Sequence, residues 1–215
     1  MAVSGVTTDG RRYGGRDAGQ RQAERRSRLL AAGLELFGTD GYAASSVKQV
    51  CAEAGLTQRY FYESFTEREQ LLRAVYDEQA ALVRAAVETA VAAAGEQIEN
   101  RIRAGLTALV DTMSADRRRA RVMVIEIVGV SPELEARRRE VLHAFVRYIA
   151  ALVPEEAGTL APHQLETGVM VLVGGVNEVL VDQTLGYRSA TTPELVDIIT
   201  ALFMGGIRAL GTRSG

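Results

Sequence analysis

Between Ser45 and Phe65 the chain reads SSVKQVCAEAGLTQRYFYESF, and no other stretch limits the fold so tightly. It holds two short helical patterns joined by a turn at Ala54-Gly55. Ser45 and Ser46 are candidate N-caps for the first, and Ser46 with Gln49 forms a capping-box pattern. Thr57 is placed to cap the second, which runs through Ser64. Val47 and Val50 face inward, Ala54 and Gly55 let the helices cross closely, and Leu56 fills the gap behind them. Phe61 and Phe65, four apart, share one face and can anchor the second helix to a core. That leaves Gln58, Arg59, Tyr62 and Glu63 turned wholly or partly outward. A helix held by its apolar side and armed with hydrogen-bonding groups on the other suits the DNA major groove. Gln58 has the geometry to pair with an adenine edge and Arg59 with guanine O6 and N7.

The flanking sequence supplies the support such a pair needs. Leu29, Leu30, Gly33, Leu34, Leu36 and Phe37 form a helical stripe, which predicts a helix from about Arg21 to Phe37. Gly38-Thr-Asp-Gly41 ends it. Thr66 with Glu69 forms another capping box, opening a helix from about Glu67 through Arg84. The residues of Leu29–Val75, with LELF, Gly-Tyr, a Ser-Val helix start, an Ala-Gly-Leu-Thr turn, Phe-Tyr and a closing Phe, Arg-Glu and Leu-Leu, resemble the N-terminal DNA-binding domain of the TetR family of transcriptional regulators. The resemblance implies phosphate contacts at Ser45, Lys48, Tyr60 and Arg68, and base contacts at Gln58, Arg59 and Tyr62. With Thr57, these form the candidate DNA-binding set. Three positions depart from the family pattern. Cys51 replaces alanine, Arg59 a small residue, and Ser64 a histidine or tyrosine. Glu63 is awkward beside phosphate; it can accept from cytosine N4 or pair with Arg59 four residues earlier. Cys51 reads as a small core residue, with a redox sensor as the minority alternative.

Beyond Tyr76 the pattern becomes long helices without strand alternation. They are expected near residues 79–94, 96–113, 117–130, 133–153, 162–185 and 193–210. Pro132 and Pro193 sit at helix starts, and Thr192 is a plausible cap. Pro154 and Pro162 bracket a loop. The expected fold is therefore all-α: an N-terminal three-helix helix-turn-helix domain plus a C-terminal helical bundle, about nine to ten helices. The divisions are 1–20 as a disordered basic tail, 21–76 as the DNA-binding domain, and 77–215 as an effector-binding and dimerisation domain.

Charge fits this division. The net charge of -2 looks wrong for a nucleic-acid binder. However, residues 1–30 carry 7 Arg against 3 acids, and the excess of acids lies beyond Tyr76. Gly168 to Val176 stops at Asn177 and Val122 to Val130 is broken by Glu126, so no apolar run reaches the ~20 residues of a membrane span. No membrane partner is expected. One cysteine and no secretory segment suit the cytoplasm.

A single reading helix gives little specificity, so a homodimer presenting two helices to successive grooves of double-stranded operator DNA is expected. Glu166–Val181 is apolar over too wide an arc for a surface helix. Gly174 and Gly175 weaken that helix unless something packs closely there, either a second copy or another part of the chain. The resemblance implies a four-helix bundle across the dimer.

An unknown small-molecule effector is expected in the C-terminal bundle. Met123, Glu126, His143, Asn177 and Glu178 are the candidate ligand-binding residues, polar or soft positions on apolar helices. Phe145 and Tyr148 are further candidates for an apolar wall, or plain core. The arginines 117–119 with Arg121, and 137–139, read as solvated faces or as attractors of an anionic effector. An enzyme is not expected. His143 and His163 lack metal-ligand spacing, and no phosphate-binding glycine loop, nucleophile elbow or CxxC is present. No cofactor or metal is expected. Repressor and activator are both open, as is a helical interaction module with a degenerate DNA domain.

Overall fold

A computed structural model describes residues 13–153, 161–187 and 190–211. Among the described residues there are nine α-helices and no strand. The first, α1 (Tyr13–Thr39), begins well before Arg21, so the part of the expected tail from Tyr13 onward is helical. The rest of that tail, residues 1–12, lies outside the described residues. Leu29, Leu30 and Phe37 of α1 are buried. The helix closes where the Asp40 and Gly41 amides both donate to Leu36 O, with Gly41 at φ +98°.

Next come α2 (Val47–Glu53) and α3 (Gln58–Ser64). Ser46 caps α2 by accepting from the Gln49 amide. The turn between them is a Schellman arrangement. Leu56 N–H donates to Cys51 O at 2.8 Å and Gly55 N–H to Ala52 O at 3.1 Å, with Gly55 at φ +59°. Arg28 of α1 donates to the carbonyls of Ala54 and Gly55, at 2.5 and 3.1 Å, and so satisfies that helix end from across the domain. Thr57 holds the N-cap position of α3, but its hydroxyl makes no capping bond.

The two overlapping helices expected over 67–94 are one element, α4 (Arg68–Ala93). Nothing between its ends breaks a helix. Its cap differs from the Thr66/Glu69 expectation: Glu67 is the N-cap residue, and the Thr66 amide donates to Gln70 instead. Leu71, Leu72, Val75 and Tyr76 pack into a first core with α1, α2 and α3. Val83, Val87 and Val91, further along the same helix, belong to a second core.

That second core is built with α5 (Ile98–Ser114), α7 (Pro132–Ala150), α8 (Pro162–Leu185) and α9 (Thr192–Gly211). Thr191, one residue earlier than expected, accepts from the Glu194 amide at the start of α9. Pro154 of the expected loop lies outside the described residues. The single helix expected over 117–130 is instead a short helix, α6 (Arg117–Arg121), continued by a π-helical turn (Val122–Glu126) that ends before Gly129 at φ +72°. The reason is a double allegiance. Val122 and Ile127 are buried in the first core, Val124 in the second, and Met123 packs against both. A wider turn aims neighbouring residues at two cores.

The helix α8 is, by length and composition, long and apolar enough to cross a membrane, although only 17% of its apolar window is buried within the chain. A Cβ on Gly174 or Gly175 would meet nothing within 4 Å. Packing within the described chain therefore does not account for these glycines.

Candidate nucleic-acid interface and internal cavity

The first core fixes which side of α3 faces out. Phe61 and Phe65 are buried and touch each other with ring centroids 5.8 Å apart. Thr57, Gln58, Arg59 and Tyr62 are exposed beside them, Tyr62 at 57%, and Lys48 is exposed on α2. These five make one polar surface on the helix pair. Tyr60 is half-buried, its ring under the Arg25 guanidinium at 4.5 Å.

Two of the expected phosphate-contact residues also have partners within the fold. Ser45 is only 4% exposed, and its hydroxyl donates to Gly41 O at 2.7 Å. Arg68 donates to Ser45 O and lies 4.1 Å from the Tyr42 ring centre. Both residues help to build the loop ahead of α2, Ser45 buried and Arg68 partly exposed. Sequence spacing placed them near the surface but carried no information on burial.

Arg59 and Glu63 form the expected i,i+4 pair at 3.1 Å, and Glu63 also lies 3.8 Å from Arg25. The Arg59 side chain stays 84% exposed, so the pair restrains it weakly. Arg25, Arg26 and Arg28 were counted in the sequence only as basic charge. The fold uses them to brace the pair, Arg26 through the face of Phe65 at 5.0 Å.

The second core encloses a cavity of about 130 Å³ between α4, α5, α7 and α8. Met123 and Asn177 line it, as do Phe145 and Tyr148. Glu126, His143 and Glu178 do not. His143 and Glu178 are exposed on their helices. Tyr76, Arg101 and Arg138 also line the cavity; of these the sequence marked only Arg138, within the run 137–139. Burial pushes the Tyr76 phenol up to about 12, so it remains a neutral hydrogen-bond donor.

Glu126 has a different task. It accepts the Tyr42 amide at 2.7 Å and pairs with Arg121 at 2.8 Å, while Arg121 also donates to Thr39 O. Arg118 bridges Asp116 and Glu35 of α1, and these bonds hold the Asp116 carboxyl below the ordinary carboxylate range. Arg119 reaches Gln79, Arg137 pairs with Asp77, and Arg138 with Glu135. The arginine runs are thus largely ties between helices rather than solvated faces. Several of them fasten the α6 region to the first domain.

Residues 29–75 match the family model described as bacterial regulatory proteins, tetR family. Solved structures share the fold across most of the chain. The fatty acid degradation regulator FadR from Bacillus halodurans superimposes with a TM-score of 0.72 at 18% identity, over 86% of this chain and 96% of that one. FadR from Bacillus subtilis, in complex with stearoyl-CoA, gives 0.72 at 15% identity, over 84% and 98%. A tetR-family regulatory protein from Rhodococcus RHA1 gives 0.65 at 20% identity, over 87% and 97%.

Proposed function

We propose that this chain, a member of the tetR family of bacterial regulatory proteins through residues 29–75, is a cytoplasmic repressor that works as a homodimer and leaves its operator when a small molecule fills the second core. One observation carries the reading. The apolar side of α3 is pinned by Phe61 and Phe65 while Gln58, Arg59 and Tyr62 are exposed beside it. The Arg59–Glu63 pair on that side is largely exposed and restrains Arg59 weakly. Base edges in a major groove offer the acceptors it lacks.

The second copy is supported by α8 and α9. Val171, Ile198 and Leu202 are 58–69% exposed, and a Cβ at Gly168, Gly174, Gly175 or Gly205 of the same two helices would meet nothing within 4 Å. An apolar face with that many unfilled positions suits helices of a partner packed closely. It also accounts for the length and apolarity of α8 without a membrane.

The release step has a physical route. Met123 and Val124 line the cavity, and Glu126, in the same π-helical turn, holds the Tyr42 amide just ahead of α2. A ligand that displaces Met123 must move the turn, and with it the loop that seats the helix pair. The helix α4, which runs through both cores, supplies a second connection. The ligand controls DNA binding only as far as it prefers one arrangement over the other. The neighbour with stearoyl-CoA carries an apolar chain, which agrees with the apolar character of the cavity here.

Filter binding of the full chain to fragments of neighbouring genomic DNA tests this reading. The expected result is tight binding to a few fragments that weakens steeply with salt, because several phosphates are neutralised. Binding that ignores salt, or no preference among fragments, would reject it.

A further inference from the structure

The cavity wall contains a charge that its apolar surroundings do not explain. Arg101, in the first turns of α5, lines the cavity, and its Nε is sealed from solvent with no hydrogen-bond acceptor. No carboxylate pairs with its guanidinium among the described residues. Its neighbours differ. Arg103 on the same helix pairs with Asp197, Arg84 with Glu88, and Arg138, the other guanidinium on the wall, with Glu135. Arg101 is half-buried as a residue, and an Nε–H cut off from both water and acceptor costs stability. Such a group is retained where an anion arrives to complete it.

The rest of the lining points the same way. Its polar members are Tyr76, Arg101, Arg138, Tyr148 and Asn177, and it contains no Asp or Glu. Apart from the Asn177 carbonyl and the phenol oxygens, the wall offers donors. Most of the remaining lining is aliphatic. With Arg138 neutralised by Glu135, one positive charge is left over, which matches one carboxylate rather than a phosphate dianion. The planar guanidinium also suits a carboxylate in two-point contact.

We propose that the cavity binds an aliphatic carboxylate, its chain among the side chains of α4, α5, α7 and α8 and its anionic end on the Arg101 guanidinium. This rests on the reading of the cavity as the effector site. It adds the chemistry of the ligand.

Calorimetric titration of the full chain with decanoate, decanol and decylamine tests it. Decanoate should bind about tenfold or more tightly than decanol, as expected for a charge-assisted contact, and decylamine should not bind. Arg101→Gln should remove the preference for the acid over the alcohol, and Arg101→Lys should keep part of it. Equal affinity for acid and alcohol in the unaltered chain would overturn the assignment without any variant. So would undiminished decanoate binding by Arg101→Gln, or tighter binding of decanoyl-CoA that ignores Arg101→Gln. DNA binding measured beside the titrations separates the two readings. Release by acid and alcohol alike sinks the carboxylate and keeps the regulator. Decanoate held through Arg101 with no effect on DNA keeps the carboxylate and sinks the effector role.

Discussion

Arg59 and Glu63 sit on the exposed side of α3, and their 3.1 Å contact decides how ready Arg59 is for DNA. To reach a guanine, Arg59 must leave Glu63, at little cost because the pair is largely exposed. Arg59→Ala should weaken operator binding by about 1–3 kcal/mol if the contact is bidentate. Glu63→Gln should strengthen it by about 0.2–1 kcal/mol, by removing a carboxylate near phosphate and freeing Arg59. Anisotropy titrations at fixed salt read both, and equal affinities for all three proteins would deny either residue a place at the DNA. Gly38 tests packing at the same scale. A Cβ there would lie 2.3 Å from Arg118 Cβ and 2.6 Å from its Cα, so α1 and α6 would have to part. Gly38→Ala should destabilise the chain by about 1–3 kcal/mol in urea unfolding.

At the scale of elements, what was legible in the sequence was local. Ser46 capping α2, the glycine turn at Gly55 and the stop at Gly41 are set by their own backbone, and a short stretch is enough to read them. The exposed face of α3 followed from the spacing of Phe61 and Phe65 for the same reason. The π-helical turn was not legible, because it answers to two cores that sequence neighbours do not reveal. Glu126 stood out correctly as a break in an apolar run, but its partners, Tyr42 and Arg121, come from the fold. The intrachain bonds of Ser45 and Arg68 were not legible either, because motif spacing does not report which side chains the fold already engages. Arg101 had no signal at all: an arginine in an amphipathic helix looks solvated until its surroundings are known. The turn itself is testable. Glu126→Gln weakens the hold on Tyr42 and Arg121, so effector and operator binding should uncouple while each persists. A variant whose DNA release by effector matches that of the unaltered chain would show that the signal travels elsewhere, for instance along α4.

The whole molecule depends on ties between its two cores, and several of these are charged. The Asp116 and Glu135 carboxyls are both held below their ordinary values, Asp116 first by its hydrogen bond from Arg118 and Glu135 first by the Gly129 amide. A depressed carboxylate contributes stability that is complete above its unfolded value and is lost as pH falls through its folded one. Thermal stability should therefore be level through neutral pH and fall on acidification below the ordinary carboxylate range. A midpoint that is flat down to strong acid would deny these two carboxylates that contribution. Assembly is tested on the α8–α9 face, where Leu202→Glu should give a monomer in sedimentation and a loss of operator binding, since one reading helix alone holds DNA poorly.

Whether two copies of the chain read DNA through α3 is decided by selection from a random-sequence duplex library with the full protein. Enrichment of a near-palindromic site is expected, its half-sites about 10–10.5 base pairs apart or a multiple of that, with enrichment lost in a Gln58→Ala, Arg59→Ala double variant. No enriched sequence, or the same site selected equally well by the double variant, would contradict it.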